Sequence, residues 1–274
     1  MDQKPRMPTI YLSHGAGPCF FVDRLPGFPE RFWDNLRAYL QSIPSRIGRK
    51  PRAVVVISAH WECLKPTLHF AEQYQLLYDY YGFPADAYSL KYSASGEPEV
   101  AANLQALLER AGIECGVEHS RGLDHGVFVP LKLIYPEADV PVVQISLVKS
   151  LDAKVHLAMG RAIESIRDED VLIVGSGSSY HNLSSFFSQH PLANKRAEQF
   201  DDWLEKVVRD PEEFRNEQLL RWSQAPGAVE CHPRSEHLMP LLVVAGAAGA
   251  DVGRNVYREK LFGKVLSAFH FGNA

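Results

Sequence analysis

Cysteine is scarce in this chain and badly spaced for joint work: Cys19, Cys63, Cys115 and Cys231 stand far apart, with no C-x-x-C pair. That spacing argues against a thiolate zinc site or a disulfide framework and fits reduced intracellular thiols. Cationic excess is missing too, since 29 Lys and Arg against 33 Asp and Glu leave a formal net charge of −4 with the basic residues scattered. A nucleic-acid partner, which needs clustered Lys and Arg, is not expected. No apolar run reaches the ~18 residues that suggest a bilayer-crossing helix, and the start MDQKPRMPTIYLSHG lacks the basic, apolar and small-residue sections of an export signal. The expectation is a cytoplasmic protein with no membrane partner, either a monomer or a small homo-oligomer.

Repeats and low-complexity tracts are also lacking, and the Gly/Pro-bearing segments at 15–29, 44–51, 82–86 and 225–235 are too short to be linkers. One domain over residues 1–274 follows, and a 46% hydrophobic content can give it a large core. Apolar runs alternate with amphipathic stretches, the pattern of an α/β fold. Strands are expected at Thr9–Leu12, Ala53–Ile57, Thr67–Phe70, Tyr88–Tyr92, Glu114–Val117, Val142–Leu147, Val171–Val174 and Val265–Phe271. Helices are expected at Glu30–Ser42, Glu97–Ala111, Asp152–Ile166, Lys195–Arg209, Pro211–Trp222 and Glu236–Ala248. Pro98 near the start of the second helix and Gly112 after its end delimit it at both termini. Spacing of ~20–40 residues between the main strands leaves room for crossover helices, hence a central mixed, mainly parallel sheet flanked by helices. The strands at 67–70 and 88–92 lack such a crossover and read as antiparallel additions.

Three strands end alike: Thr9–Leu12 runs into Ser13-His14-Gly15, Ala53–Ile57 into Ser58-Ala59-His60, and Val171–Val174 into G-S-G-S-S-Y-H-N at 175–182. Carboxyl ends of parallel strands form the rim where α/β sheets bind ligands. A lone histidine reads as a structural side chain, but His14, His60 and His181 sharing that rim suggest a metal, with Gly15, Gly175 and Gly177 clearing space around it. The 175–182 loop fails the dinucleotide, phosphate-loop and nucleophile-elbow patterns, so Ser176, Ser178 and Ser179 read as caps or loop hydrogen-bonders. His125 precedes a glycine and an apolar run, where a side chain can be held near a pocket. At 235–237, Ser235 and Glu236 suit a helix start, which leaves His237 unexplained. His69, His119, His156, His190 and His270 lack such placement and read as structural or exposed.

In this order, S-H-G, S-A-H-W-E, L-D-H-G-V-F-V-P-L, G-S-G-S-S-Y-H-N-L and H-P-x-x-E-H-x-x-P-L span nearly the whole chain, from residue 8 to residue 272. The set resembles the class III extradiol ring-cleaving dioxygenases, and within them the DOPA 4,5-dioxygenase-like branch of the LigB superfamily. The resemblance implies a non-haem metal centre with His14 and His60 as its best-defined ligands. It implies His237 as a further ligand, with Glu236 as the alternative, and His181 as either ligand or acid/base. His125 matches the other pocket histidine of the family, placed to hydrogen-bond substrate or oxygen. Fe(II) is the implied active metal, and Zn(II) could fill the site without performing the redox step. The implied partners are a catecholic small molecule and O2. The implied outcome is an open-chain muconic semialdehyde, with an imidazole taking up the catechol proton and His181 or His125 serving as general acid.

Trp61, Phe20, Phe128 and Tyr180 lie beside these motifs and could pack a flat ring, while Arg234 or Arg121 could pair with a substrate carboxylate. Two rivals remain at this level. One is a zinc-dependent hydrolase with Glu62 or Glu236 as base, and the other an inactive metal-binding relative.

Overall fold

The apolar runs assemble into one eight-stranded sheet in a computed structural model that describes residues 5–23, 25 and 27–273. The extreme ends of the expected 1–274 domain, and Arg24 and Pro26 of the 15–29 segment, lie outside the described residues. The strands are β1 (Thr9–Ser13), β2 (Ala53–Cys63), β3 (Thr67–His69), β4 (Gly116–Glu118), β5 (Val142–Val148), β6 (Val171–Gly177), β7 (Gly253–Leu261) and β8 (Lys264–Phe271), in the order β4-β3-β5-β2-β6-β1-β8-β7. The central β5-β2-β6-β1 run is parallel, and β3 on β5, β8 on β1 and β7 on β8 are antiparallel. Every residue of β1, β5 and β6 is buried, which is why these strands read as continuous apolar runs.

The helices are α1 (Asp34–Ile47), α2 (Pro98–Arg110), α3 (His125–Ile134), α4 (Ala153–Ala162), α5 (Leu183–Phe186), α6 (Pro191–Val208), α7 (Glu212–Leu220), α8 (Ala228–Cys231) and α9 (Met239–Ala248). α2 starts with Pro98 and gives way to Gly112 at φ +76°, as expected. α9 is buried along its whole length between α4 and strands β1 and β6. Its close approach to α4 needs bare glycines: a Cβ on Gly160 would lie 2.0 Å from the Val243 carbonyl oxygen. Its carbonyl end is capped by two buried arginines, Arg167 on Ala247 and Ala248 and Arg215 on Ala245 and Gly249.

Four departures from the sequence pattern have physical causes. Tyr88–Tyr92 is not a strand, because this stretch is held by side chains rather than a ladder: the Tyr80 hydroxyl donates to Ala87 O at 2.6 Å and the Tyr78 hydroxyl to Leu90 O at 2.6 Å. β7 was not expected because it is a charged edge, Arg254 to Lys260, buried only at Gly253, Tyr257 and Leu261; it is joined to β8 by Phe262-Gly263 with φ +48° and +80°. α3 was not expected as a helix because it is buried almost all round and carries no polar face. The helix expected over Asp152–Ile166 stops at Ala162 and tightens into a 3-10 turn over Glu164–Glu169.

Candidate metal centre

β1 and β6 end at the same edge, Ser13 opposite Gly177, so His14 leaves the sheet beside the 175–182 loop. His60 reaches this edge by another route. Ile57 faces Ile145 and Glu62 faces Leu147, so β2 advances five residues while β5 advances two, and the bulge turns the ring of His60 toward His14. The His60 backbone is held on both sides, its N–H donating to Ser58 Oγ at 3.2 Å and its carbonyl accepting from Arg121 at 3.1 Å. Gly126 makes the approach possible, since a Cβ there would meet Ser58 Oγ at 2.6 Å and His60 Cδ2 at 3.0 Å.

The glycines of the 175–182 loop also leave room, but for chain rather than for an ion. A Cβ on Gly177 would lie 2.1 Å from the carbonyl oxygen of His237, and one on Gly175 would lie 2.6 Å from that of Pro240. The segment leading into α9 therefore drops onto β6. Its His237 carbonyl accepts from the Tyr11 hydroxyl at 2.8 Å and from Ser178 N–H at 3.2 Å. His237 is carried to His14 and His60 by this docking.

His14, His60 and His237 offer ring nitrogens that all lie within 4.8 Å of one another. The Ser176 hydroxyl donates to Gly126 O, so its oxygen accepts from His14 Nδ1 at 3.0 Å. That assigns the proton to Nδ1 and leaves His14 Nε2 bare, facing His60 Nε2 at 3.1 Å. His237 Nδ1 sits 2.9 Å from Glu236 Oε1, again leaving Nε2 for other use. Burial, reinforced by the neighbouring imidazoles, pushes His14 and His237 well below the usual histidine range and His60 down to about 4. The rings are neutral at pH 7, the form that binds metal. Two imidazole ligands ~2.1 Å from one ion lie ~3.0–3.4 Å apart, so this donor set fits a cation.

Glu236 stands behind this group. One of its oxygens, Oε1, takes His181 Nδ1 at 3.0 Å and His237 Nδ1 at 2.9 Å, and the two rings stack with centroids 3.4 Å apart. Burial would raise the Glu236 carboxyl, but the two imidazole hydrogen bonds outweigh it and hold the group far below the carboxylate range. The expected capping role of Ser235 and Glu236 is not what the structure has. α9 begins at Met239, the Ser235 carbonyl accepts from Leu238 and Met239, and Glu236 orients imidazoles instead. His181 lies in the same cavity yet groups with Glu236 and His237, not with His14 and His60.

On the opposite flank, His125 is the first residue of α3. Its backbone N–H and ring Nδ1 both bond Asp79 Oδ1, at 2.9 and 2.8 Å. Asp79 escaped the sequence reading, although the segment Tyr74–Phe83 packs five aromatics around it, a density that could have marked a pocket wall. Three further buried histidines are structural: His232 bonds Ser179 O at 2.9 Å, His156 receives Val148 N–H at 3.1 Å, and His270 meets the Tyr39 hydroxyl at 2.8 Å. The loop serines act as hydrogen-bonders, Ser178 on Tyr180 O and Ser179 receiving Ser267 N–H.

A cavity of about 290 Å³ opens over His14, His60, His125, His181 and His237. Of the four aromatics expected around a ring, only Tyr180 lines it. Trp61, Phe20 and Phe128 are core, and Phe28, Trp33, Tyr80, Phe83, Phe186 and Phe187 form the wall instead. Arg121 is tied to Asp124 at 2.9 Å, and Arg234 to Glu62 at 2.6 Å and Glu236 at 3.4 Å. The same pairings tie Glu62 and Glu236, the candidate bases of the zinc-hydrolase alternative, to Arg234.

Residues 8–270 match the family described as the catalytic LigB subunit of aromatic ring-opening dioxygenase. The chain belongs to the LigB family. It is 37% identical over 290 residues to dioxygenase tasH of Hapsidospora irregularis, covering 97% of this chain and 86% of the relative. It is also 37% identical over 261 residues to 4,5-DOPA dioxygenase extradiol of Beta vulgaris, covering 94% and 93%. The crystal structure of an uncharacterized protein from Escherichia coli K12 aligns with a TM-score of 0.75 at 28% identity, over 97% of this chain and 100% of that one. The resemblance carried by the five motifs is thereby borne out, and this LigB protein is an oxidoreductase, an extradiol aromatic ring-opening dioxygenase. LigB enzymes depend on a metal, and the histidine-rich edge of the sheet is a site that could hold one. Among the described residues no helix is long and apolar enough to cross a membrane.

Proposed function

We propose that the protein opens the ring of a catechol with O2 at a non-haem Fe(II) centre held by His14, His60 and His237. The observation that carries this reading is the convergence of three neutral imidazoles at the cavity, with Nε2 of His14 and Nε2 of His60 3.1 Å apart and His237 completing the group. One proton on His60 Nε2 can bridge the two rings, and a cation that takes its place finds a lone pair from each. When bound, Fe(II) favours ionisation of the diol and lets electron density pass from it to O2.

The protein's own groups handle the protons. His125 is held through Nδ1 by Asp79, which supports Nε2 as the acceptor of a catechol hydroxyl proton. His181 is held through Nδ1 by Glu236, which supports its Nε2 as the donor to the oxygen that leaves during ring opening. Glu236, with both imidazoles on one oxygen, fits an orienting carboxylate better than a ligand. The aromatic walls exclude water from the reacting oxygens and offer faces for a flat ring.

The test is anaerobic loading of metal-free protein with Fe(II), then an oxygen electrode with a panel of catechols, the Zn(II)-loaded form serving as a redox-inert control. One O2 consumed per catechol, with a yellow ring-opened product from the iron form alone, is the expected result. Equal turnover by the zinc form without O2 uptake would overturn the reading.

A further inference from the structure

Beyond the five histidines, the cavity wall comes from three separate segments: Phe28 and Trp33 before and at the start of α1, Tyr80 and Phe83 after β3, and Leu183, Phe186 and Phe187 at α5. They close on each other as rings. Phe28 meets Phe187 edge to face at 5.4 Å and tilts on Trp33 at 5.7 Å, Phe186 meets Phe187 at 5.5 Å, and Phe83 meets Tyr80 at 5.3 Å. Leu183 and Phe187 are more than half exposed, at 71% and 53%, so the apolar wall continues to the mouth.

Most polar side chains along this path are already engaged, the indole N–H of Trp33 being an exception. Tyr80 donates to Ala87 O, Tyr180 pairs with Ser185, Ser178 donates to Tyr180 O, and Asn182 donates to Glu230 O while its Oδ1 takes Ser184. None of the described lining residues is Lys, Arg, Asp or Glu. Arg121 and Arg234, the cations that flank the motifs, are bound to Asp124, Glu62 and Glu236.

Resting on the dioxygenase reading above, we infer that the preferred catechol carries a neutral, apolar substituent on its ring, an alkyl or aryl group of several carbons, seated against Phe28, Phe186 and Phe187. With the diol at the histidine centre, the rest of the molecule points along the aromatic wall. A carboxylate or amino-acid side chain there would lose its hydration and find no charged partner among the described lining residues. Each methylene laid on the wall is worth about fourfold in affinity.

The experiment uses a matched series: 4-methyl-, 4-ethyl- and 4-propylcatechol against 3-(3,4-dihydroxyphenyl)propionate and DOPA. Turnover is followed on the Fe(II)-loaded enzyme and affinity by calorimetry on the Zn(II)-loaded protein. Affinity and kcat/KM rise about fourfold per methylene, and propylcatechol exceeds the propionate by about tenfold or more. Phe187→Arg, at a half-exposed position, shrinks that preference by about tenfold by supplying a cation at the mouth. Equal or better handling of the propionate or of DOPA by the unaltered enzyme overturns the inference alone. Absence of O2-dependent turnover with every catechol overturns the dioxygenase reading and the inference with it.

Discussion

Asp79 Oδ1 receives two hydrogen bonds from a single residue, the backbone N–H of His125 at 2.9 Å and its ring Nδ1–H at 2.8 Å. Burial alone would raise the Asp79 carboxyl, but the bonds to His125 bring it below its usual value, so it is ionised and can only accept. The tautomer of His125 follows, with its proton on Nδ1. Asp79→Asn removes the charge that fixes it and is expected to lower kcat about 10–100-fold while metal content stays at that of the parent. Asp79→Glu recovers part of the loss. Nitrogen-15 NMR of the histidine rings checks the tautomer directly, and an unchanged His125 signal in the Asn variant would remove this role.

His14→Ala and His60→Ala each take one nitrogen from the facing pair, and both are expected to abolish stoichiometric metal binding. His125→Ala keeps the metal and loses turnover by about 100-fold or more, the scale of a lost proton-transfer group. Metal analysis beside O2 uptake separates the two behaviours. Full metal occupancy in either ligand variant would refute the assignment.

Gly177→Ala places a methyl group 2.1 Å from the His237 carbonyl oxygen, where the neighbour is backbone. The segment carrying His237 must lift from β6, so the variant is expected to lose at least about 1–3 kcal/mol of stability and most of its metal affinity together. Urea denaturation and metal titration measure the two losses. A variant that keeps both would show that the close approach of the two backbones is not needed.

Acid weakens the fold through buried histidines outside the His14, His60 and His237 group. Burial lowers His232 to about 4 and His270 to about 3, against 6.5 for the free side chain. The unfolded chain therefore takes up protons below pH 6.5 that the native state refuses. Their stabilising contribution is complete above pH 6.5 and is lost as pH falls through the interval toward 4 and 3. These two groups alone are expected to lower the unfolding free energy of the metal-free protein by about 4 kcal/mol between pH 7 and pH 5, and the buried cavity imidazoles add to the drop. Urea titrations at the two pH values test this, and a flat profile would contradict it.

The parallel core was readable because β1, β5 and β6 are buried on both faces, so their apolar runs stand out in one dimension. β7 and α3 were not readable, for opposite reasons. The first is a charged edge buried only at Gly253, Tyr257 and Leu261, and the second is apolar all round, so neither carries the period of its own element. In the site, the histidines announced themselves through their neighbours in sequence. Asp79 and Phe187 did not, since each matters only through a residue 46 or more positions away, His125 for one and Phe28 for the other.

Residue order along the chain was enough to settle the α/β class, the family motifs and the candidate histidines, because apolar periodicity and motif spacing are local properties. Folding alone could decide which nitrogens meet, that Glu236 stands behind His237, and that the wall of the cavity is apolar. Those outcomes depend on where β2 bulges and how closely α9 descends on Gly175 and Gly177. Both are set by contacts between segments more than 50 residues apart, where packing permits one arrangement and excludes its neighbours.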